Sequence, residues 1–185
     1  MNYYYAGIGS REIPDDINQE FTRIGQLLAS HGLTLRSGGA DGADRAFEAG
    51  CDIAQGNKEI WLPWANFNDN KSDLVLESPI PSKVVEIASH IYSRWDSCSQ
   101  VSKQLHARNV YQILGHDLST PVDYVVGWSS REVTDTGGTM FGIHLALEWD
   151  IPVYNFYEPS RREAFMTKLE FALYNEHILS TIPTL

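Results

Sequence analysis

The stretch LTLRSGGADGADRAFEAG, residues 33–50, decides how the rest of the chain is interpreted. LTLR is typical of a short buried strand, and ADRAFEAG spaces its apolar residues as a helix does. Three glycines, Gly38, Gly39 and Gly42, lie within five positions between them. Because glycine lets backbone amides approach a ligand closely, the pattern predicts a strand, a ligand-facing loop and a helix.

The same alternation of strands and helices continues on both sides of this unit. Short apolar runs predict strands at 2–8, 33–36, 59–62, 122–127 and 151–156. Helices are expected at about 14–32, 43–50, 97–114, 137–149 and 159–175. This order predicts an α/β fold with a doubly wound, mainly parallel sheet and helices on both faces. We interpret residues 1–185 as one domain with an irregular insertion at about 63–96.

Glycines and hydroxyl residues follow three of the predicted strands, in the segments GIGSR, SGGADGAD and TGGT. The carboxyl ends of parallel strands meet at one edge of a sheet, so we expect the three loops to converge on one pocket. Backbone amides and helix N-termini there favour an anion, and Arg11 adds a bidentate clamp for phosphate. Glycines that merely permit tight turns are the alternative for any one loop. The predicted ligand-binding residues of the loops are Gly7, Gly9, Ser10, Arg11, Ser37, Gly38, Gly39, Asp41, Gly42, Asp44, Gly137, Gly138 and Thr139.

Further candidate contacts come from outside the glycine loops. Arg108 and Asn109 lie on the predicted helix 97–114, where the arginine would pair with a phosphate and the asparagine with a base or ribose. A solvated helix face explains this segment equally well. Trp128 follows a predicted strand, and its ring would stack on a base. The six histidines show no metal-binding spacing, so we expect no metal site.

Net charge restricts the classes of partner. The chain carries 14 Lys and Arg against 24 Asp and Glu, for a net charge of −10. A nucleic-acid binder needs a basic face, so DNA or RNA is not the expected partner, whereas backbone amides can still hold a small anion. The chain has only two cysteines, and no apolar run approaches the ~18 residues of a membrane span. We therefore expect a cytoplasmic protein without membrane contact.

The loop motifs resemble those of a known superfamily. SGGADGAD at 37–44 resembles the SGxAxGxD signature of the DprA/Smf proteins and the GGAxGAD loop of other SLOG proteins, a Rossmann-like group that includes the LOG proteins. TGGT at 136–139, with Ala146 and IPV at 151–153, is similar to the second half of that fold. GIGSR is similar to the start of small, stand-alone SLOG proteins often found in phages. The resemblance covers about 2–62 and 122–156.

The resemblance implies a pocket for a nucleotide or a nucleotide derivative. Some members cleave N-glycosidic bonds, some bind ADP-ribose-type signals and some bind DNA. Thr139 is followed by MFGI instead of the glutamates of the LOG hydrolases, and Glu48 stands where DprA proteins carry histidine. The leading hypothesis is therefore a binding protein that senses or sequesters a phosphate-bearing nucleotide derivative, such as an ADP-ribose-type immune signal.

Two other functions stay open on the sequence. The first alternative is an N-glycoside hydrolase that acts on a nucleoside phosphate with Glu48 and Asp135 as its carboxylates. The second is a DNA-binding accessory protein of the DprA type. No cofactor is expected. Relatives in the superfamily often pair, so the resemblance is compatible with a homo-oligomer.

Overall fold

Five parallel strands form one sheet. The computed structural model of the protein describes residues 3–130 and 137–174. Its strands are β1 (Tyr4–Gly9), β2 (Thr34–Ser37), β3 (Lys58–Ile60), β4 (Tyr124–Trp128) and β5 (Val153–Asn155). They lie in the order β3-β2-β1-β4-β5, and Tyr5 pairs with both Leu35 and Tyr124. The predicted α/β fold with a doubly wound parallel sheet is confirmed.

Helices cover both faces of the sheet. One face carries α1 (Asp15–Ser30), α2 (Ala43–Ile53) and α6 (Pro159–Tyr174). The other carries α3 (Ser82–Ile91), α4 (Gln100–Leu114) and α5 (Gly138–Glu148). The side chains of β1 alternate between the two cores: Tyr5 belongs to the first, and Ala6 and Ile8 belong to the second. A strand buried on both faces explains the unbroken apolar run at the start of the chain.

The segment 63–96 is more regular than the sequence analysis predicted. After a short 3-10 turn at Phe67–Asp69, the chain forms helix α3 inside the range that we expected to be irregular. Val84, Ile87 and Ala88 of this helix are buried in the second core. Their spacing of three and then one residue is typical of a helix. The prediction that the whole range 63–96 is irregular is therefore wrong at α3.

No helix of the described residues combines the length and the apolar character that crossing a lipid bilayer requires.

Candidate ligand-binding site

A cavity of about 390 Å³ opens at the carboxyl end of β1, between α4 and α5. The strand order reverses here, because the chain continues from β1 to β2 on one side while β4 pairs on the other. Open α/β sheets bind ligands at such a switch point. The predicted residues that line the cavity are Gly9, Ser10, Arg11, Asp44, Arg108, Asn109, Gly138 and Thr139. The structure therefore brings residues of all three predicted loops together with α4.

The loop after β1 is fixed by backbone hydrogen bonds. The N–H of Ser10 donates to the carbonyl of Trp128 at 2.9 Å, and the N–H of Ala43 donates to the carbonyl of Ser10 at 3.2 Å. A Cβ on Gly42 would lie 2.3 Å from the oxygen of Ser10, so only glycine fits there. The N-terminus of α2 is thus hydrogen-bonded to this loop. The loop in turn positions Ser10 and the exposed Arg11 at the cavity.

Side chains occupy the glycine loop after β2. The N–H groups of Gly38 and Ala40 donate to Oδ2 of Asp44 at 3.1 and 3.4 Å. A Cβ built on Gly38 would lie 1.0 Å from Nη1 of Arg108, so the guanidinium lies directly against this glycine. The sequence predicts that the amides of this loop are free to bind a ligand. In the structure Asp44 instead accepts hydrogen bonds from two of these amides, and the guanidinium of Arg108 covers the backbone at Gly38.

Arg108 and Asp44 form a buried ion pair, with Nη1 and Oδ2 3.7 Å apart. Burial raises the pKa of Asp44 to about 6, although Arg108 and the backbone N–H groups of Ala40, Gly38 and Gly9 act in the opposite direction. Burial also lowers the pKa of Arg108, an effect that Asp44 opposes. Arginine nevertheless keeps its charge in proteins, so Arg108 is a permanent cation whose charge the carboxylate of Asp44 balances.

Helix α4 contributes polar side chains that the sequence analysis did not predict as ligand contacts. Gln112 and His106 both line the cavity and are buried. Nη1 of Arg108 donates to Oε1 of Gln112 at 3.3 Å. Among the described residues, Nε of Arg108, Nε2 of Gln112 and Nδ1 of His106 are buried without a hydrogen-bond partner. Gln112 stands one helical turn after Arg108, and this spacing was the signal that could have identified it.

Burial of His106 favours the neutral form of its side chain. Burial lowers the pKa of its imidazole. The ring packs between Tyr92 and Phe141, with centroid distances of 4.7 and 4.9 Å. Its position is thus set by aromatic packing under α5.

The N-terminus of α5 faces the cavity through Gly138 and Thr139. Nδ2 of Asn109 donates to the carbonyl of Gly138 at 2.9 Å and so fixes this helix end against α4. Gly137 is the N-cap and offers no side-chain hydrogen bond. The first amides of a helix lack partners within the helix and carry partial positive charge, which favours an anion.

Several predicted ligand contacts lie outside the cavity lining. A Cβ on Gly7 would lie 2.6 Å from the ring of Phe47, so this glycine serves the packing of α2 on β1. The hydroxyl of Ser37 donates to the carbonyl of Gly7 at 2.7 Å, which ties β2 to β1. The ring of Trp128 packs edge-on against Tyr157 at 5.6 Å and contacts the first core.

The remaining predicted residues have other partners. The carbonyl of Gly39 accepts from Nδ2 of Asn68, and the exposed Asp41 pairs with Arg45 at 3.4 Å. Glu48 accepts from Nζ of Lys58 at 2.9 Å and from Nδ2 of Asn70. None of these three predicted residues lines the cavity as the described residues define it.

Asp135, the second carboxylate of the hydrolase hypothesis, lies outside the described residues. Within the described ranges, no group of three or more His, Cys, Asp and Glu side chains is arranged to hold a metal ion.

Comparisons with known proteins identify the fold. No protein-family model and no curated protein matches the chain. The structure of DNA processing protein A from Helicobacter pylori, a protein with a single-stranded DNA binding mode, matches 82% of this chain with a TM-score of 0.53 and 20% identity. The chain spans 63% of that protein chain.

Two structures of the molybdenum cofactor carrier protein from Chlamydomonas reinhardtii match 83% of this chain. Their TM-scores are 0.48 and 0.41, at 18% and 13% identity, over 74% and 89% of their own chains. These two matches are too distant to support an argument. The match to DNA processing protein A agrees with the fold that the SLOG resemblance implies, and at this identity it shows the fold alone: a Rossmann-like parallel sheet with helices on both faces.

Proposed function

We propose that the cavity binds a phosphate-bearing nucleotide derivative, and that the protein senses or sequesters this ligand. The observation that carries the proposal is the convergence of the exposed Arg11 and the N-terminus of α5 on one cavity. The chain as a whole has a net charge of −10, so the positive charge at this cavity is opposite in sign to that of the whole protein. An anionic ligand is the partner that such a cavity stabilises.

The phosphate is assigned to the rim of the cavity. Arg11 is exposed there, and Ser10 of the same loop and Thr139 in the first turn of α5 also line the cavity. Arg108 is a weaker candidate for the phosphate, because Asp44 already balances its charge. A phosphate at the rim therefore gains a bidentate arginine contact together with the helix dipole of α5.

The walls suit the sugar and base of a nucleotide. Ile8 and Leu105 provide apolar surface, and Gly142 leaves the adjacent face of α5 without a side chain. The volume of about 390 Å³ falls within the ~300–1,000 Å³ of small-molecule pockets. An ADP-ribose-type signal belongs in the panel of ligands to be tested, beside simple nucleoside phosphates.

Binding without cleavage is the better supported activity. Of the described residues that line the cavity, Asp44 alone is a carboxylate, and it is engaged by two backbone amides and Arg108. Glu48, the other described carboxylate of the hydrolase hypothesis, is paired with Lys58 away from the cavity. Hydrolysis of an N-glycosidic bond needs a carboxylate that faces the sugar.

A mixture of nucleoside monophosphates and ADP-ribose tests the proposal. The protein is incubated with the mixture, separated from free ligand, denatured and analysed by chromatography. We expect unchanged nucleotide to be recovered from the denatured protein. Free base in the mixture would instead establish a hydrolase, and the absence of any retained nucleotide would refute the proposal.

DNA binding is tested in parallel, because DNA processing protein A binds single-stranded DNA. We expect no retention on single-stranded DNA at physiological salt, since the acidic chain would repel the phosphate backbone. Retention that weakens steeply with added salt would support the DNA-binding alternative.

A further inference from the structure

The two edges of the parallel sheet differ in how they are protected. The β3 edge carries the charged residues Lys58 and Glu59, and just beyond it the N–H of Leu62 donates to the carbonyl of Leu74 at 2.8 Å. Charged residues on an edge strand discourage another chain from pairing with it. The β5 edge, Val153–Asn155, has no charged residue and no further strand beside it in the described part of the chain. It is therefore the edge at which another strand can add.

The free side of β5 presents backbone hydrogen-bonding groups. The carbonyl of Pro152 and the N–H of Phe156 bond to β4 at 2.8 and 2.7 Å. Because successive residues of a strand direct these groups to alternate sides, the N–H and C=O groups of Val153 and Asn155 point away from β4. The carbonyl of Asn155 also accepts from the N–H of Glu158 at 3.0 Å, but a carbonyl oxygen can accept two hydrogen bonds.

A groove beside this edge offers apolar surface. The groove has a volume of about 530 Å³ and lies between α5 and β5. Its apolar lining comes from Met140, Ile143 and Leu147 of α5 and from Pro152 and Val153 of β5. Leu147 is 57% exposed, so a partner at this edge would remove a large apolar side chain from water. The groove thus adds contact area that a strand of three residues does not supply alone.

Opposite charges flank β5 and line the same groove. Asp150 precedes the strand, and Arg161 lies in the first turn of α6 after it. Both residues are exposed, and neither forms an ion pair with another described residue. A two-fold axis pairs edge strands antiparallel, so the start of one β5 meets the end of the other. Asp150 of each copy then faces Arg161 of the second copy, and the surface is complementary to itself.

We propose that the β5 edge is a self-association surface, where a second copy of this chain pairs its own β5 antiparallel and joins the two five-stranded sheets into one. With the two-fold axis at Tyr154, the outward groups of Val153 bond to those of Asn155 of the second copy. The groove shares no lining residue with the cavity at the carboxyl end of β1, so the inference does not depend on the proposed function.

Sedimentation equilibrium of the wild-type protein measures the association. We expect a monomer–dimer equilibrium with a dissociation constant of about 100 μM or lower. A wild-type protein that stays monomeric at about 1 mM overturns the proposal. If that monomer also protects the N–H groups of Val153 and Asn155 from hydrogen exchange, another segment of the same chain occupies the edge.

Exchange of the flanking charges tests the pairing itself. Asp150→Arg and Arg161→Asp each place like charges opposite one another twice in a two-fold dimer, so each variant alone should associate at least about tenfold more weakly. A mixture of the two variants restores opposite charges in a mixed dimer and should associate about as tightly as the wild type. Glu163→Arg, an exposed charge change on α6 outside the groove lining, should leave the dissociation constant unchanged.

Val153→Pro tests the backbone contact. It removes an N–H that faces away from β4, and proline is tolerated on the free side of an edge strand, so the variant should keep its circular dichroism spectrum. We expect its dissociation constant to rise at least about tenfold, because the new strand pair loses hydrogen bonds. A wild-type dimer that persists unchanged in this variant and in both charge variants has its interface elsewhere, and the proposal is then wrong.

Discussion

Nη1 of Arg108 lies 3.7 Å from Oδ2 of Asp44, and each side chain is only 6% exposed. The two residues come from α4 and α2, on opposite faces of the sheet, and they meet at its edge beside Gly38. The glycine turn after β2 is thus built around a side-chain ion pair. Four testable consequences concern this pair, the rim of the cavity and the start of α5.

Replacement of Gly38 by alanine should displace Arg108. The added Cβ would lie 1.0 Å from Nη1, so the guanidinium must move and its contacts with Asp44 and Gln112 are lost. We expect nucleotide binding to weaken at least about tenfold and the free energy of unfolding to fall by about 1–3 kcal/mol. Calorimetric titration and urea unfolding measure the two effects.

Gly32→Ala is the matched control for this variant. Gly32 has a φ of +83° and no atom within 4 Å of an added Cβ, so only backbone strain of about 1 kcal/mol is expected. Nucleotide binding should not change. Undiminished binding by Gly38→Ala would show that the position of Arg108 does not matter for the ligand.

The buried carboxyl of Asp44 should make stability depend on pH. Its pKa is about 6 in the folded protein, against an ordinary value of 3.8, because burial disfavours the charged form. Between these values the folded state binds more protons than the unfolded state, so the free energy of unfolding falls as the pH rises from about 4 to 7. At ~1.4 kcal/mol per pKa unit, the effect amounts to about 3 kcal/mol.

The variant Asp44→Asn isolates this contribution. The difference in unfolding free energy, wild type minus variant, should decrease between about pH 4 and pH 7 in urea titrations. Asp41→Asn changes an exposed carboxylate in the same loop and should show no such decrease. A difference that grows with pH would mean that Arg108 and the backbone amides outweigh burial and lower the pKa of Asp44.

Arg11 should affect the ligand without affecting the fold. Its side chain is exposed at the cavity rim, so Arg11→Ala should change the free energy of unfolding by less than about 0.5 kcal/mol. Loss of a charge-assisted contact to phosphate should weaken nucleotide binding about tenfold or more. The effect should shrink as salt is added, because exposed charges are screened.

Arg45→Ala is the corresponding control. Arg45 is also exposed, at the start of α2 after the glycine loop that follows β2, but it pairs with Asp41 and does not line the cavity as described. Equal losses of affinity in the two variants would indicate a general charge effect and would contradict a phosphate site at Arg11.

Asn109 should stabilise the start of α5. Its Nδ2 donates to the carbonyl of Gly138 at 2.9 Å, and Asn109→Ala removes this bond between α4 and α5. We expect the free energy of unfolding to fall by about 0.5–1.5 kcal/mol, measured by thermal or urea unfolding. Ser89→Ala removes an exposed hydrogen bond within α3 and should cost much less. Equal costs would indicate that the Asn109 contact does not hold the helix end.

The fold could be predicted because its signals are local. Apolar runs, helical spacing and the glycines at strand ends define the strands and helices, and the geometry of parallel strands places Ser10, Asp44 and Thr139 at one edge. Helix α3 was missed because the prolines at 79 and 81 resemble loop residues, although Pro81 is the N-cap of this helix. The apolar spacing inside the helix was the better guide.

The interior of the site could not be predicted in the same way. Whether the amides of Gly38 face a ligand or Asp44 depends on where Arg108 lies, and Arg108 is seventy residues away in the chain. The side of β4 on which Trp128 lies depends on strand register, which places its ring against Tyr157. Such contacts come from tertiary packing and leave no pattern in the nearby sequence.

The central claim is that a nucleotide binds in the cavity with its phosphate at the rim. A crystal structure of the protein with inosine 5′-monophosphate tests this claim most directly. The account predicts phosphate oxygens within ~3 Å of Arg11 and Thr139. A nucleotide bound elsewhere on the protein, or a cavity that stays empty at saturating nucleotide, would contradict it.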